Sequence, residues 1–215
     1  MPRGADDRRR IVVIGPGKIG CGHLAPLFDA AGWEVVLAAR NAEVVDRIRA
    51  ARQFTVRVPG GETQRVAAAA VPLGGEEFER AVAEADLAAT AVGARNVVAL
   101  GEPLARALAA RPDDRSLDVW AVENGDAAPA LEAAVRDVAA REGLALPPLG
   151  VAGAIAWRAV TSGDWKTAPE PVFVADATRS LVVDGGRLLC AIPDIPGISA
   201  SRDYAEDLMA KFLGF

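Results

Sequence analysis

The sequence predicts an α/β fold on a doubly wound, mostly parallel sheet, with an antiparallel extension towards the C-terminal end. Three observations carry this expectation. Short apolar runs alternate with helix-period segments as far as Glu142, and the early strands end at glycine or at a polar break. After Pro147 the texture turns to short strands separated by loops. Strand–helix–strand alternation implies parallel strands joined by right-handed crossovers.

Arg10 to Ile14 is a continuous apolar run ended by glycine, the pattern of a strand buried on both faces. From Gly20 to Ala31 the residues Leu24, Leu27 and Phe28 recur at helical spacing, and Gly32 supplies the C-cap. Glu34 to Ala39 reads as a second buried strand, and Asn41 to Arg52 as a second helix through Val44, Val45, Ile48 and Ala51. Phe54 to Val58 and Gln64 to Ala68 alternate around Pro59-Gly60-Gly61 and predict a β-hairpin. Glu76 to Glu84 is helical, and Asp86 to Val92 is a strand ending at Gly93. Asn96 to Ala110 is a helix stopped by Pro112, and Leu117 to Val122 is the next strand. Ala127 to Glu142 is a helix closed by Gly143, and Pro147 to Gly150 reads as a connection. Pro171 to Ala177 and Arg179 to Cys190 read as antiparallel strands around Asp184-Gly185-Gly186. Pro193 to Gly197 is a loop, and Asp203 to Phe212 a last, amphipathic helix that the sequence leaves at Phe215.

Of the 215 residues 51% are apolar and 25% charged, with a net charge of −5, which supports a large core and excludes disorder. A pI near 5.0 without a basic stripe disfavours a nucleic-acid partner. No stretch reaches membrane-spanning length without a charge or proline. The basic start, Met1 to Arg10, precedes a short apolar run interrupted by glycines, which argues against a signal peptide. Two cysteines, Cys21 and Cys190, give no disulfide framework, and the single histidine, His23, leaves little for a metal site. The expectation is a soluble cytoplasmic protein with neither a nucleic-acid nor a membrane partner.

Gly15-Pro16-Gly17-Lys18-Ile19-Gly20 fits G-x-G-x-x-G between a predicted strand and a predicted helix, the context in which dinucleotides bind. The first glycine permits the tight turn, the second admits the pyrophosphate, and the third lets helix and strand approach. The flanking pattern favours dinucleotide binding over a plain glycine turn and makes the predicted fold Rossmann-type. Lys18 reads either as added charge near the phosphates or as a solvated lysine. Ile19 completes the expected binding turn. The second strand ends Ala38-Ala39-Arg40-Asn41, without the carboxylate that accepts from an NAD ribose. An arginine there suits a 2′-phosphate through charge-assisted bidentate bonds. The expected cofactor is therefore NADP in preference to NAD, with Arg40 and Asn41 in its site. The alternative is a surface arginine paired with Glu43.

The segment VVIGPGKIGCGHLAPLFDAAGWEVVLAARN is similar to the opening of the polyol (mannitol) dehydrogenase family, which includes the mannitol-1-phosphate 5-dehydrogenases. DLAATAVGARNV, AVENG, AIPDIPGIS and DLMAKFLGF resemble later family segments in the same order. The resemblance implies exchange of hydride between a secondary alcohol and a nicotinamide cofactor, without a catalytic metal. It implies that Lys211 is the general base, opening a Lys-x4-Asn-x2-His pattern whose remaining members would follow Phe215. Residues 1–196 would then be the dinucleotide-binding domain and 197–215 the first helix of a truncated helical domain, completed in cis or in trans. Asn124 matches a family asparagine that polarises the substrate oxygen, and Val92 and Gly93 would line the nicotinamide-ribose side. From the residues alone, Lys211 reads equally as a solvated partner of Asp207, and Asn124-Gly125 as turn chemistry.

The sequence departs from the family at Trp157-Arg158, where an Asp-Arg pair is usual, at Cys21, where arginine is usual, and at Ala39, where an acid is usual. The expected substrate is a small polyol, cyclitol or sugar phosphate, although no Arg/Lys cluster marks a phosphate pocket in the sequence. Two other readings stay open. One is a non-catalytic NAD(P)-binding module or partner subunit. The other is a ketopantoate reductase-like enzyme, against which AVENG and IPDIPG argue.

Overall fold

The structure is a computed structural model that describes residues 8–214. Phe215 and residues 1–7, which hold much of the basic start, lie outside the described residues. Along the chain the strands are β1 (Arg10–Ile14), β2 (Glu34–Ala39), β3 (Gln53–Arg57), β4 (Thr63–Ala67), β5 (Ala69–Pro72), β6 (Leu87–Thr90) and β7 (Leu117–Ala121). They continue with β8 (Leu149–Ala156), β9 (Val160–Ser162), β10 (Val172–Ala175), β11 (Leu181–Asp184) and β12 (Ile198–Ser201). The helices are α1 (Ala25–Ala30), α2 (Ala42–Ala51), α3 (Glu76–Glu84), α4 (Gly101–Ala109), α5 (Ala128–Glu142) and α6 (Tyr204–Leu213).

Strands without a polar face need cover on both sides, and parallel pairing with crossover helices supplies it. Accordingly β5-β2-β1-β6-β7-β8 form a parallel run, flanked beyond β8 by β11 and then β12. Numbered among themselves, those six strands stand in the order 3-2-1-4-5-6, the doubly wound dinucleotide-binding order. The antiparallel extension is β11, which runs against β8 from Leu181↔Ala156 to Val183↔Ala154. One face of the sheet packs Val12, Ile14 and Val119 against Phe78, Leu104 and Leu131 of α3, α4 and α5. The other packs Val13, Leu37 and Trp120 under Phe28, Ile48 and a second sheet, β4-β3-β10-β9. Phe54 and Phe173 join that second sheet edge to face, 5.4 Å apart. Among the described residues no helix is long and apolar enough to cross a membrane.

Several elements differ from the sequence expectation. The connection expected at Pro147 to Gly150 runs into β8, a buried strand that the glycine- and alanine-rich text conceals. Its glycines are there for room: a Cβ on Gly150 would lie 2.1 Å from Asp118 Oδ1, and one on Gly153 2.5 Å from the Tyr204 ring. The strands expected around Asp184-Gly185-Gly186 form no hairpin. The segment β10 joins β3 in the small sheet and β11 joins β8 in the large one, because each adds an edge to an existing strand. A 3-10 turn, Gly185–Arg187, occupies the expected hairpin tip, with the Gly186 N–H donating to Asp184. The helix expected from Asn96 opens as a 3-10 segment, Ala94–Leu100, before α4. The helix expected from Gly20 opens with a π-helical turn, Gly20–Leu24, ahead of Pro26 in the first turn of α1. Neither β5 nor β12 is signalled in the sequence, each being four residues long.

Candidate active site

The C-terminal ends of β1, β2, β6 and β7 meet at one edge of the sheet, and β1 lies where the strand order reverses. Gly15 leaves β1 with φ +102°, its N–H bonded to the Ala38 carbonyl at 3.0 Å. A Cβ there would stand 2.5 Å from the Ala91 carbonyl oxygen, so the turn requires glycine. Gly20 allows the following helix to return under the turn, since its Cβ would lie 2.1 Å from the Gly15 oxygen. Gly17 is different: nothing lies within 4 Å of the place its Cβ would take. That open space belongs to a cavity of about 400 Å³ lined by Gly15, Gly17, Arg40, Asn41, Val92 and Asn96.

The remaining expected cofactor residues divide. Arg40 is exposed at the cavity lip and makes no hydrogen bond or ion pair among the described residues. Glu43, its conceivable partner, pairs with Arg47 instead. Asn41 lines the cavity but caps α2, accepting from the Glu43 N–H at 2.9 Å. Lys18 turns away from the cavity and donates to the Thr161 carbonyl at 2.8 Å, so its ammonium serves β9 and not the glycine turn. Ile19 packs against the core, which leaves only its backbone to the turn. The Gly93 φ is +88°, and Val92 and Gly93 are both tied down by a buried acid that the sequence reading passed over. Glu123 Oε1 accepts from the Val92 N–H at 2.9 Å and the Thr90 hydroxyl at 3.1 Å; Oε2 accepts from the Gly93 N–H at 2.7 Å. Burial raises the Glu123 pKa above the carboxylate norm, against the pull of those three donors.

The structure brings Lys211 and Asn124 together. Lys211 Nζ donates to Asn124 Oδ1 at 3.2 Å, linking α6 to the segment that follows β7. Asp207, the partner expected from i,i+4 spacing, instead accepts from the Ser201 hydroxyl. Half-burial lowers the Lys211 pKa below the usual lysine value. An ammonium can only donate, so the amide oxygen faces Lys211 and the Asn124 NH₂ is left to another acceptor.

Three further residues that the sequence raised without giving them a role are placed by the structure. Cys21 is buried filler: desolvation pushes its thiol up to about 12, and it accepts from Trp165 Nε1 at 3.4 Å. His23 is wholly buried on the π-helical turn, and neither ring nitrogen has a partner among the described residues. Burial first, then the Arg158 cation, pull its pKa down to about 3, with Lys211 adding to the fall and Asp176 and the Ser180 backbone, beyond normal hydrogen-bond geometry, opposing it. Arg158, just past β8, is 6% exposed and donates Nε to the Asp176 carbonyl at 3.0 Å.

A glycine turn at the reversal point of a 3-2-1-4-5-6 sheet, opening on a cavity at the strand ends, defines a Rossmann-type domain. The chain belongs to the mannitol dehydrogenase Rossmann domain family, whose profile matches residues 9–145. It is 28% identical over 116 residues to mannitol-1-phosphate 5-dehydrogenase of Bacillus pumilus (strain SAFR-032), covering 52% of this chain and 31% of that protein. It is 31% identical over 117 residues to the enzyme of the same name from Caldanaerobacter subterraneus subsp. tengcongensis, covering 52% of this chain and 30% of that protein. The match thus spans about a third of those relatives' length. Among solved structures, a PanE/ApbA family ketopantoate reductase from Ralstonia eutropha JMP134 superposes with a TM-score of 0.64 at 20% identity. That match covers 95% of this chain and 60% of that one, and it is a likeness of fold.

Proposed function

We propose that this chain is the cofactor-binding part of an NAD(P)-dependent polyol or polyol-phosphate dehydrogenase. Residues 1–196 form its dinucleotide domain, and 197–215 begin a helical catalytic domain. The observation that carries the reading is the contact of Lys211 with Asn124 just past the C-terminal end of β7. Family membership and the mannitol-1-phosphate 5-dehydrogenase relatives support it. The open space at Gly17 and the free Arg40 at the cavity lip fit a dinucleotide, and Arg40 favours the 2′-phosphate of NADP. The bound nicotinamide supplies hydride acceptance or donation.

The chain's own residues supply the proton chemistry and the orientation. Lys211, its pKa lowered by burial, takes the hydroxyl proton of the alcohol onto Nζ during oxidation and returns it during reduction. Asn124 holds the lysine through Oδ1 and offers its NH₂ to the substrate oxygen as negative charge develops there. Glu123 fixes the Val92–Gly93 backbone, which walls the cavity beside the reacting carbon.

The test is NADPH- and NADH-dependent reduction of fructose 6-phosphate by the purified chain, alongside titration of either dinucleotide. The expected result for the 215-residue chain is dinucleotide binding with little turnover, and turnover restored when the helical part is supplied. Failure to bind either dinucleotide overturns the reading. Binding with no turnover even in the presence of the helical part would favour a non-catalytic NAD(P)-binding module.

A further inference from the structure

We propose that Arg158 is an anion-holding residue of the substrate pocket, and that it receives the phosphomonoester group of a polyol phosphate. The proposal rests on the dehydrogenase reading above and adds to it the residue that would distinguish phosphorylated from free polyols.

The first observation is an unspent buried cation. A guanidinium offers five N–H donors, yet Arg158 uses one, its Nε, on the Asp176 carbonyl at 3.0 Å. It forms no salt bridge among the described residues, although it is 6% exposed. The two Asp176 carboxylate oxygens are engaged elsewhere, Oδ2 by the Ala159 N–H at 2.9 Å and Oδ1 by the Thr178 N–H at 2.8 Å. Asp176 acts on Arg158 electrostatically, but no carboxylate oxygen bonds the guanidinium, and a buried guanidinium with donors left over is costly unless a further acceptor completes it. The terminal amino groups of Arg158 make no hydrogen bond among the described residues, which leaves them to a ligand. Their planar fork matches two phosphate oxygens.

The second observation is place. Ala121 pairs with Gly153 across neighbouring strands. Asn124 follows β7 and Arg158 follows β8, so both stand at the same edge of the sheet at the ends of neighbouring strands, and α6, which packs on β8 and β11, brings Lys211 to that edge. A polyol chain held at one carbon by Lys211 and Asn124 would lead its phosphate towards Arg158.

The third observation is the surroundings. His23 is wholly buried with both ring nitrogens unpartnered, and Arg158 and Lys211 both act on it electrostatically. A neutral ring among cations adds hydrogen-bonding capacity without adding positive charge. Arg179 also acts on Arg158, and its own partner, Glu62, is exposed. Arg158, Arg179 and Lys211 outnumber the carboxylates Asp176 and Glu62, and a phosphomonoester, at about −1.5 to −2, more than offsets that excess of positive charge.

The experiment is calorimetric titration of the full chain with inorganic phosphate, mannitol 1-phosphate, gluconate and mannitol, with and without NADPH. It is repeated for Arg158→Gln and Arg158→Lys. Expected are binding of phosphate and of the phosphate ester, a loss of at least about tenfold in Arg158→Gln, and partial recovery in Arg158→Lys. NADPH affinity should be unchanged in both variants. Equal binding of mannitol and its phosphate ester, tighter binding of gluconate than of the ester, or an unaltered ester affinity in Arg158→Gln would each overturn the proposal. Should Arg158→Gln fail to fold, a loss confined to phosphate binding in Arg158→Lys supports it, and an unchanged phosphate affinity there overturns it. Dinucleotide binding is read in the same titrations. Its absence overturns the dehydrogenase reading and leaves Arg158 to be judged on inorganic phosphate.

Discussion

Lys211 Nζ and Asn124 Oδ1 lie 3.2 Å apart, a contact between residues 87 positions apart in the chain. It fixes the polarity of the amide: the oxygen serves the lysine and the NH₂ is left for a substrate. The Lys211 partner is thus a neutral group, so among the described residues no carboxylate holds the ammonium in its charged form, and burial is free to lower its pKa.

The first expected outcome concerns that titration. The sequence contains three lysines, Lys18, Lys166 and Lys211, so reductive ¹³C-methylation gives three lysine sets of signals beside that of the α-amino group. Lys211 is expected to lose its proton below the usual value of 10.5. For a lysine lowered in the folded state, burial of the charge opposes folding at low pH. That penalty fades as the pH rises through the folded value towards the unfolded one. Titration of Lys211 at or above 10.5 would remove the basis for calling it a base.

The glycine turn gives a second expectation, because two of its glycines are there for opposite reasons. Gly15→Ala introduces a Cβ 2.5 Å from the Ala91 oxygen at φ +102° and should cost about 2–4 kcal/mol in denaturant unfolding. Gly17→Ala meets nothing within 4 Å and should leave stability within about 0.5 kcal/mol. It should nevertheless weaken dinucleotide binding about tenfold or more, since the methyl projects into the cavity where the pyrophosphate would lie. Unchanged binding in Gly17→Ala would show that the cavity is not the dinucleotide site.

The fold was legible where apolar text is continuous and glycine breaks it: β1, β2, β6 and β7 read as buried strands, and the glycine turn read in its strand-to-helix context. What escaped is strand built from small residues. In β8 the glycines make room for Asp118 and Tyr204, so packing overrides the low strand propensity that conceals it. Pairing of β10 and β11 was misread because a hairpin is the nearest local solution, and only the waiting edges of β3 and β8 decide otherwise. At the candidate site, the places of Arg40 and Asn124 just past strand ends were legible. Glu123 and Arg158 were not, since their meaning comes from burial and from which donors are left over.

Arg40 carries a third expectation. It stands free at the cavity lip, so Arg40→Ala should leave stability within about 0.5 kcal/mol. If it holds a 2′-phosphate, the loss of charge-assisted bonds should weaken NADPH by roughly 10- to 100-fold. NADH affinity should change little. Equal affinities of the wild-type chain for the two cofactors, both insensitive to the change, would assign Arg40 to the surface.

Glu123 links burial to pH. Its pKa lies above the ordinary 4.5 because desolvation outweighs the Val92, Gly93 and Thr90 donors. A carboxyl raised in the folded state contributes stability in its protonated form. That contribution is complete below the unfolded value and is lost as pH rises through the folded one. The stability of the wild type relative to Glu123→Gln should therefore fall as the pH rises above the ordinary 4.5. Glu123→Ala, which takes the acceptor from the Val92 and Gly93 N–H groups, should cost about 1–3 kcal/mol. A wild-type advantage over Glu123→Gln that grows with pH would reverse the assignment.

The two cysteines should separate completely in reactivity. Cys21 is sealed in the core beneath Trp165, whose Nε1 donates to its sulfur at 3.4 Å, and burial pushes the thiol up to about 12. Its position near a helix start would ordinarily favour the thiolate, but desolvation outweighs that field here. Cys190 is exposed, with the Ser116 hydroxyl 3.5 Å from its sulfur. Brief treatment with iodoacetamide at neutral pH, read by peptide mass spectrometry, should alkylate Cys190 and leave Cys21 intact until the chain is unfolded. Cys21→Ser should retain the Trp165 contact geometrically while burying a hydroxyl in place of a thiol. It should cost about 1–3 kcal/mol without altering dinucleotide affinity. Labelling of Cys21 in the folded chain at a rate near that of Cys190 would mean that the glycine-turn helix opens readily, and that its thiol is more than filler.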